Sequence, residues 1–216
     1  MKKAILIVFL VLVADQVLKF WIKTHMTIGD EIHMIGNWFI FHFTENEGMA
    51  FGFTFGGYAG KLILSIFRII AVVIIGIYLY RMRAKSPHPG LVWSFSLIMA
   101  GALGNILDSA FYGMIFSEST YHTVATLFPP GGGYASFLHG KVVDMLYFPI
   151  IRTTWPSWVP AWGGTPLEFF RPVFNIADAS ITTGVLMLLV FQRKFFPKKE
   201  EEQASDESTI SQSDEI

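Results

Sequence analysis

Four apolar stretches, at about 4–22, 59–80, 91–113 and 174–192, set the terms on which this chain can fold. At about 1.5 Å per helical residue, each is long enough to cross a hydrocarbon layer of roughly 30 Å. A chain carrying four of them belongs in a bilayer. Composition agrees, since 52% of the 216 residues are hydrophobic and 16% aromatic, too apolar for a soluble domain of this size. The expected fold class is an integral membrane protein, mostly α, with four transmembrane helices. The first stretch opens as MKKAILIVFLVLVA, in the manner of a signal peptide. Asp15, Gln16 and Lys19 interrupt the cleavage-site pattern and three further spans follow, so the segment is read as retained.

Charge sets the expected orientation. Lys2 and Lys3, then Arg81, Arg83 and Lys85, then Arg193, Lys194, Lys198 and Lys199 place nine of the 16 positive charges on one side of the four spans. The positive-inside rule makes that side cytoplasmic, with both termini inside. The connections at about 23–58 and 114–173 then face outward; they are long, aromatic and rich in Gly and Pro. Within the first, Trp38 to Phe43 reads as a short strand or hairpin ending at a Glu-Asn-Glu-Gly turn. Residues 1–196 are expected to form one membrane-embedded domain. The segment 197–216 is acidic and lacks aromatics, as a disordered cytoplasmic tail would.

Ionisable groups inside a membrane are costly, so their depth is informative. Asp15, Gln16 and Lys19 lie late in the first span; Lys61, Ser65 and Arg68 lie early in the second. Asn105 and Asp108 lie late in the third, and Asn175 and Asp178 early in the fourth. With the orientation above, all four sets fall in the outer half of the bilayer, each on one helical face. The inner halves, such as Ile5 to Ala14 and Val185 to Phe191, carry almost no polar side chain. The pattern describes an outward-opening polar pocket and not a continuous pore. Some of these residues have simple structural readings: Asp15 and Lys19 as an i, i+4 pair, Lys61 as a snorkelling cation, Asn105 as a helix-to-helix donor beside Gly101 and Gly104.

A fifth acid, Asp144, ends the second outer connection in HGKVVDMLYFP, where apolar neighbours press it to the membrane face. A surface pairing with Lys141 is its plain alternative. Two carboxylates close together in a poorly hydrated site cannot both ionise, so one keeps a proton while the other accepts one from water. If Asp144 meets Asp178, such a pair can hydrolyse an amide. Rival chemistries lack residues: there is no cysteine, no HExxH zinc spacing among the six histidines, and no GxSxG elbow. No metal, organic cofactor or nucleic-acid partner is expected.

Five ordered segments together resemble the bacterial lipoprotein signal peptidases, also called signal peptidase II. They are ADQVLKFW (Asp15, Gln16, Lys19), ENEGMAFG (Asn46, Gly48), GALGNILDS (Asn105, Asp108), KVVDMLYFP (Asp144) and FNIADASIT (Asn175, Asp178). The resemblance implies a four-helix aspartyl protease of the inner membrane with a small outward β-cradle, acting near the periplasmic face. It implies prolipoprotein substrates that already carry diacylglyceryl-cysteine, membrane lipids as surroundings, a monomer, and cleavage just before the lipidated residue. The catalytic pair maps onto Asp144 and Asp178; Asn46, Gly48, Asn105, Asp108, Asn175 and Asp15 would shape the site or orient substrate.

Two departures from that pattern stand out. Ser109 follows Asp108 where the family usually has Arg, and Arg68 on the second helix is expected to supply the missing charge. Inserts around 117–138 and 151–170 lengthen the second outer connection, as a lid, a docking surface or Pro/Gly-rich filler. The rival functions are a proton-coupled transporter or channel using the same Asp residues, which needs polar groups in the inner half, and a non-catalytic assembly or lipid-binding protein.

Overall fold

The computed structural model describes residues 2–47, 57–85, 87–169 and 172–196. Gly48 and the acidic segment 197–216 lie outside the described residues. Among the described residues, three helices have the length and apolar character to cross a membrane. These are α1 (Lys2–His25), α2 (Gly57–Met82), and α3 (Pro89–Leu107), which runs on through a π-helical turn (Asp108–Tyr112) into the one-turn α4 (Gly113–Ile115). Their outward faces expose Ile, Leu, Val and Phe, among them Ile5, Phe9, Ile63, Phe67 and Ile74, as a lipid-facing surface requires.

The fourth element differs from the span expected at 174–192. Helix α5 (Ile176–Val190) has 15 residues, about 22 Å of helix. It begins late because Phe174 is committed to a strand and Asn175 is its N-cap, accepting the backbone N–H of Asp178 on its side-chain oxygen at 2.8 Å. It ends at Phe191, and the one-turn α6 (Gln192–Phe195) follows.

Strands β1 (Glu31–Ile35), β2 (Phe39–Asn46), β3 (Val142–Tyr147) and β6 (Val173–Phe174) form an antiparallel sheet in the order β1-β2-β3-β6. The aromatic run expected as a hairpin is β2 with its partner β1. The sheet draws three distant segments together at the end of the molecule where α1 finishes and α5 starts. Thr44 sits opposite Asp144, and Leu146 opposite Phe174, so the register fixes Asp144 one short step from the cap of α5. Stacking of Phe148 on Phe39 (4.8 Å) and Phe174 (5.8 Å) reinforces that join. On β3, Val143 and Met145 point away from Asp144. They enter a buried cluster with Ile22, Met26, Phe43, Tyr112 and Phe116.

Helix α3 packs against α5 through missing side chains. A Cβ on Gly101 would lie 2.1 Å from the carbonyl oxygen of Ala177, and one on Gly104 3.1 Å from Ala177 Cβ and 2.8 Å from Oδ2 of Asp15 on α1. Ser180 adds a hydrogen bond from its hydroxyl to the carbonyl of Leu97 at 2.8 Å. Small residues and hydroxyl donors of this kind hold helices together where no water is present to drive association.

The two inserts are built differently. Residues 133–140 lie along the π-helical turn: Gly140 N–H donates to Ser109 O at 2.8 Å and Ala135 N–H to Gly113 O at 2.8 Å. The widened turn frees carbonyls at Ser109 and Ala110, which accept the N–H groups of Gly140 and Leu138, while Ala135 bonds just past the turn. Strands β4 (Ile151–Thr154) and β5 (Pro166–Phe169) form a separate two-stranded sheet, with Trp155 and Trp162 paired at its tip, centroids 5.9 Å apart.

Candidate active site

Asp144 and Asp178 reach the same site from different elements, one from the middle of β3 and the other from the first turn of α5. Two asparagine side chains connect them. Asn175 Nδ2 donates to Asp144 Oδ1 at 2.7 Å and is 3.3 Å from Asn105 Oδ1; Asn105 Nδ2 donates to Asp178 Oδ1 at 2.8 Å. Asn46 Nδ2, from the end of β2, donates to the second oxygen of Asp144 at 3.2 Å. Both bridging amides have their orientation imposed from behind. The oxygen of Asn175 is occupied by the Asp178 N–H, so its NH2 must face Asp144.

For Asn105 the constraint is a cation. Lys19 Nζ donates to Asn105 Oδ1 at 3.2 Å, which leaves the NH2 of Asn105 for Asp178. Lys19 is fully buried and ion-paired to two carboxylates, Asp15 Oδ2 at 2.8 Å and Asp108 Oδ2 at 2.7 Å. Gln16 Nε2 donates to Asp108 Oδ1 at 2.8 Å, and the Tyr112 hydroxyl donates to Gln16 Oε1 at 3.1 Å. Asp15 Oδ1 accepts the Ala177 N–H at 2.9 Å, placing a negative charge on the N-terminal turn of α5 where the helix dipole favours it. This charged group is the foundation beneath the Asp144/Asp178 pair.

The arrangement corrects several expectations. Asp108 has an ion-pair partner that was not expected, Lys19, and the Arg68 guanidinium lies within electrostatic reach of Asp178, Asp108 and Asp144. Lys19 was expected only to neutralise Asp15, because its i, i+4 spacing offers that partner locally; it also reaches across to α3. Lys61 has a specific partner as well, pairing with the half-exposed Glu47 at 2.6 Å. Lys141 pairs with Glu118 and Glu45, leaving Asp144 to the asparagines. Lys19 and Gln16 are the site residues that the sequence reading undervalued, and the signal available was their place in the same ADQVLKFW segment as Asp15.

Asp144 is 2% exposed. Burial, and next the negative charge of Asp178, push its carboxyl up to about 7, against the donors Asn46 and Asn175, which pull the other way. A carboxyl so placed can carry a proton near neutral pH and deliver it. The described residues contain no group of three or more His, Cys, Asp or Glu side chains that could hold a metal ion.

The chain is similar to known proteins over most of its length. Residues 7–194 match the family model described as Signal peptidase (SPase) II. The chain is 49% identical over 185 residues to the lipoprotein signal peptidase of Porphyromonas gingivalis (strain ATCC 33277), covering 85% of this chain and 80% of that protein. It is 38% identical over 190 residues to the lipoprotein signal peptidase of Amoebophilus asiaticus (strain 5a2), covering 87% and 76%. A bacterial membrane enzyme solved by the in meso method at 1.9 Å resolution superposes with a TM-score of 0.56 at 27% identity, covering 91% of this chain and 96% of that one.

Proposed function

This chain belongs to the signal peptidase II family, and from that premise we propose that it is an aspartyl endopeptidase that removes the signal peptide from diacylglyceryl-modified prolipoproteins by cutting just before the lipidated cysteine. It is a multi-pass membrane protein. In this reading it crosses the inner membrane four times, with both termini cytoplasmic and the sheet end at the periplasmic face. The nine clustered Lys and Arg residues support that orientation. It works as a monomer on substrates held in the lipid.

The observation that carries the catalytic reading is the chain of side chains Asp144–Asn175–Asn105–Asp178. Asp144 holds the shared proton and Asp178 accepts one from the attacking water. The water oxygen adds to the scissile carbonyl carbon as Asp178 takes its proton and Asp144 protonates the carbonyl oxygen. Collapse of the tetrahedral gem-diol breaks the C–N bond, with the proton on Asp178 passing to the leaving nitrogen and one hydroxyl proton returning to Asp144 as the C=O bond reforms. Asn46, Asn105 and Asn175 keep the carboxylates aimed through the cycle, and Asp15, Lys19 and Asp108 hold those asparagines.

The test is cleavage of a diacylglyceryl-modified precursor in liposomes by the wild type and by Asp144→Asn and Asp178→Asn. Each variant should lose at least about 10³-fold in kcat, the scale for removing a catalytic acid or base outright. Full turnover by either would reject the pair. The transporter reading has no support in the family relationship.

A further inference from the structure

Asn46 lies between two glutamates whose charges are both answered by lysines on helices. On one side, the Glu45 side chain is 2% exposed and ion-paired through Oε1 to Lys23 of α1, itself fully buried. Ser119 closes this pair, accepting from Lys23 Nζ at 2.9 Å and donating to Glu45 Oε1 at 3.0 Å, and Lys141 approaches Glu45 Oε2 at 3.7 Å. On the other side, Glu47 accepts from Lys61 of α2 at 2.6 Å. Between them Asn46 donates to Asp144.

Neither pair touches the carboxylates of the site. A buried ion pair adds little net stability once both charges have been desolvated, and its best-attested effect is to fix registry. Registry is what this segment needs. The pairing of β2 with β3 shifts between Phe41 and Thr44 and resumes as Thr44–Asp144, Glu45–Val143 and Asn46–Val142, so Asn46 sits at the end of a short ladder cut off from the rest of β2 by an irregularity. We propose that the Lys23–Glu45 and Lys61–Glu47 ion pairs are positioning residues that pin the end of β2 between α1 and α2 and thereby hold the Asn46 amide on Asp144. The proposal rests on the peptidase reading above. It adds that α2 has a second link to the site, through Lys61, and that the residues flanking Asn46 set the efficiency of the reaction.

The second pair gives the cleaner test, because Glu47 is half exposed and its replacement leaves the core intact. Turnover of a diacylglyceryl-modified precursor by the full chain in liposomes is measured for Glu47→Gln, for Lys61→Met and for the exchanged pair Glu47→Lys with Lys61→Glu. Thermal midpoints are followed alongside, and the Asp144 carboxyl is titrated by infrared difference against Asp144→Asn. The single variants should lose about tenfold in kcat with KM within about twofold, the scale of a slightly misplaced catalytic group. Their Asp144 titration should move to higher pH as the Asn46 donor is loosened, and the exchanged pair should recover both. Wild-type kcat and an unmoved titration in both single variants would overturn the proposal, as would losses that track the thermal midpoint with no titration shift. Failure of the peptidase reading is separate: it shows as an inactive wild type or an active Asp144→Asn.

Discussion

Asn175 donates to Asp144 at 2.7 Å with one end of its amide while the other end caps the helix that carries Asp178. One side chain thus sets where α5 begins and how Asp144 is held. The two roles separate by substitution. Serine can still cap α5 but is too short to reach Asp144, so Asn175→Ser should keep its thermal midpoint and lose about 10²-fold in kcat, comparable to removing an aimed amide donor. Asn175→Ala should lose the same activity and a further ~1 kcal/mol of stability. Equal activity of Asn175→Ser and wild type would show that the donation to Asp144 is idle.

Proton placement predicts a pH profile. Asp144, pushed up to about 7 chiefly by burial, gives up its proton as pH rises through that value, and the one-proton form of the pair is lost. The alkaline limb of kcat/KM should therefore lie near pH 7 in the free enzyme. Asn46 favours the charged form of Asp144, so Asn46→Ala should move that limb to higher pH while lowering the plateau. A limb that stays put or moves down in Asn46→Ala would assign the proton to another group.

Lys19 is ion-paired to two buried carboxylates at once. Removing one partner from such a group leaves uncompensated charge, which costs about 3–5 kcal/mol. Lys19→Met should therefore unfold at markedly lower temperature, and Asp108→Asn in the same chain should restore part of the loss by removing one stranded charge. An Asp108→Asn change that deepens the Lys19→Met defect would contradict this account.

How much of this could be read from sequence follows from what sequence spacing encodes. Helical spacing reports which residues share a face, so the polar stripes of Asp15, Asn105, Asp108, Asn175 and Asp178 were legible, as was their concentration near one end of the spans. It does not report which faces meet. Lys19 had a sufficient partner four residues away in Asp15, so its reach to Asp108 and Asn105 was hidden. Lys61 and Glu47 belong to different elements, and nothing local links them. The start of α5 was misplaced because hydropathy counts Phe174 and Asn175 as membrane sequence, whereas pairing of Phe174 with Leu146 and capping by Asn175 end the strand and begin the helix there. The joining of Asp144 to Asp178 depends on strand register, and strand order is a tertiary outcome.

The close approach of α3 and α5 makes a last prediction, one that ties packing to chemistry. A methyl at Gly101 would lie 2.1 Å from Ala177 O and 2.7 Å from Ile181 Cγ1. Backbone cannot yield there as a side-chain end could, so Gly101→Ala must push the helices apart at a cost of about 1–3 kcal/mol. Asn105 lies one turn further along α3 and must reach Asp178 on the displaced helix, so kcat should fall together with stability. Gly131 has open space around its Cβ position, and Gly131→Ala is the control that should leave both unchanged. Measuring thermal midpoint and precursor turnover for the two variants decides the point. A Gly101→Ala enzyme with native stability and turnover would mean that the α3–α5 contact is looser than these distances describe.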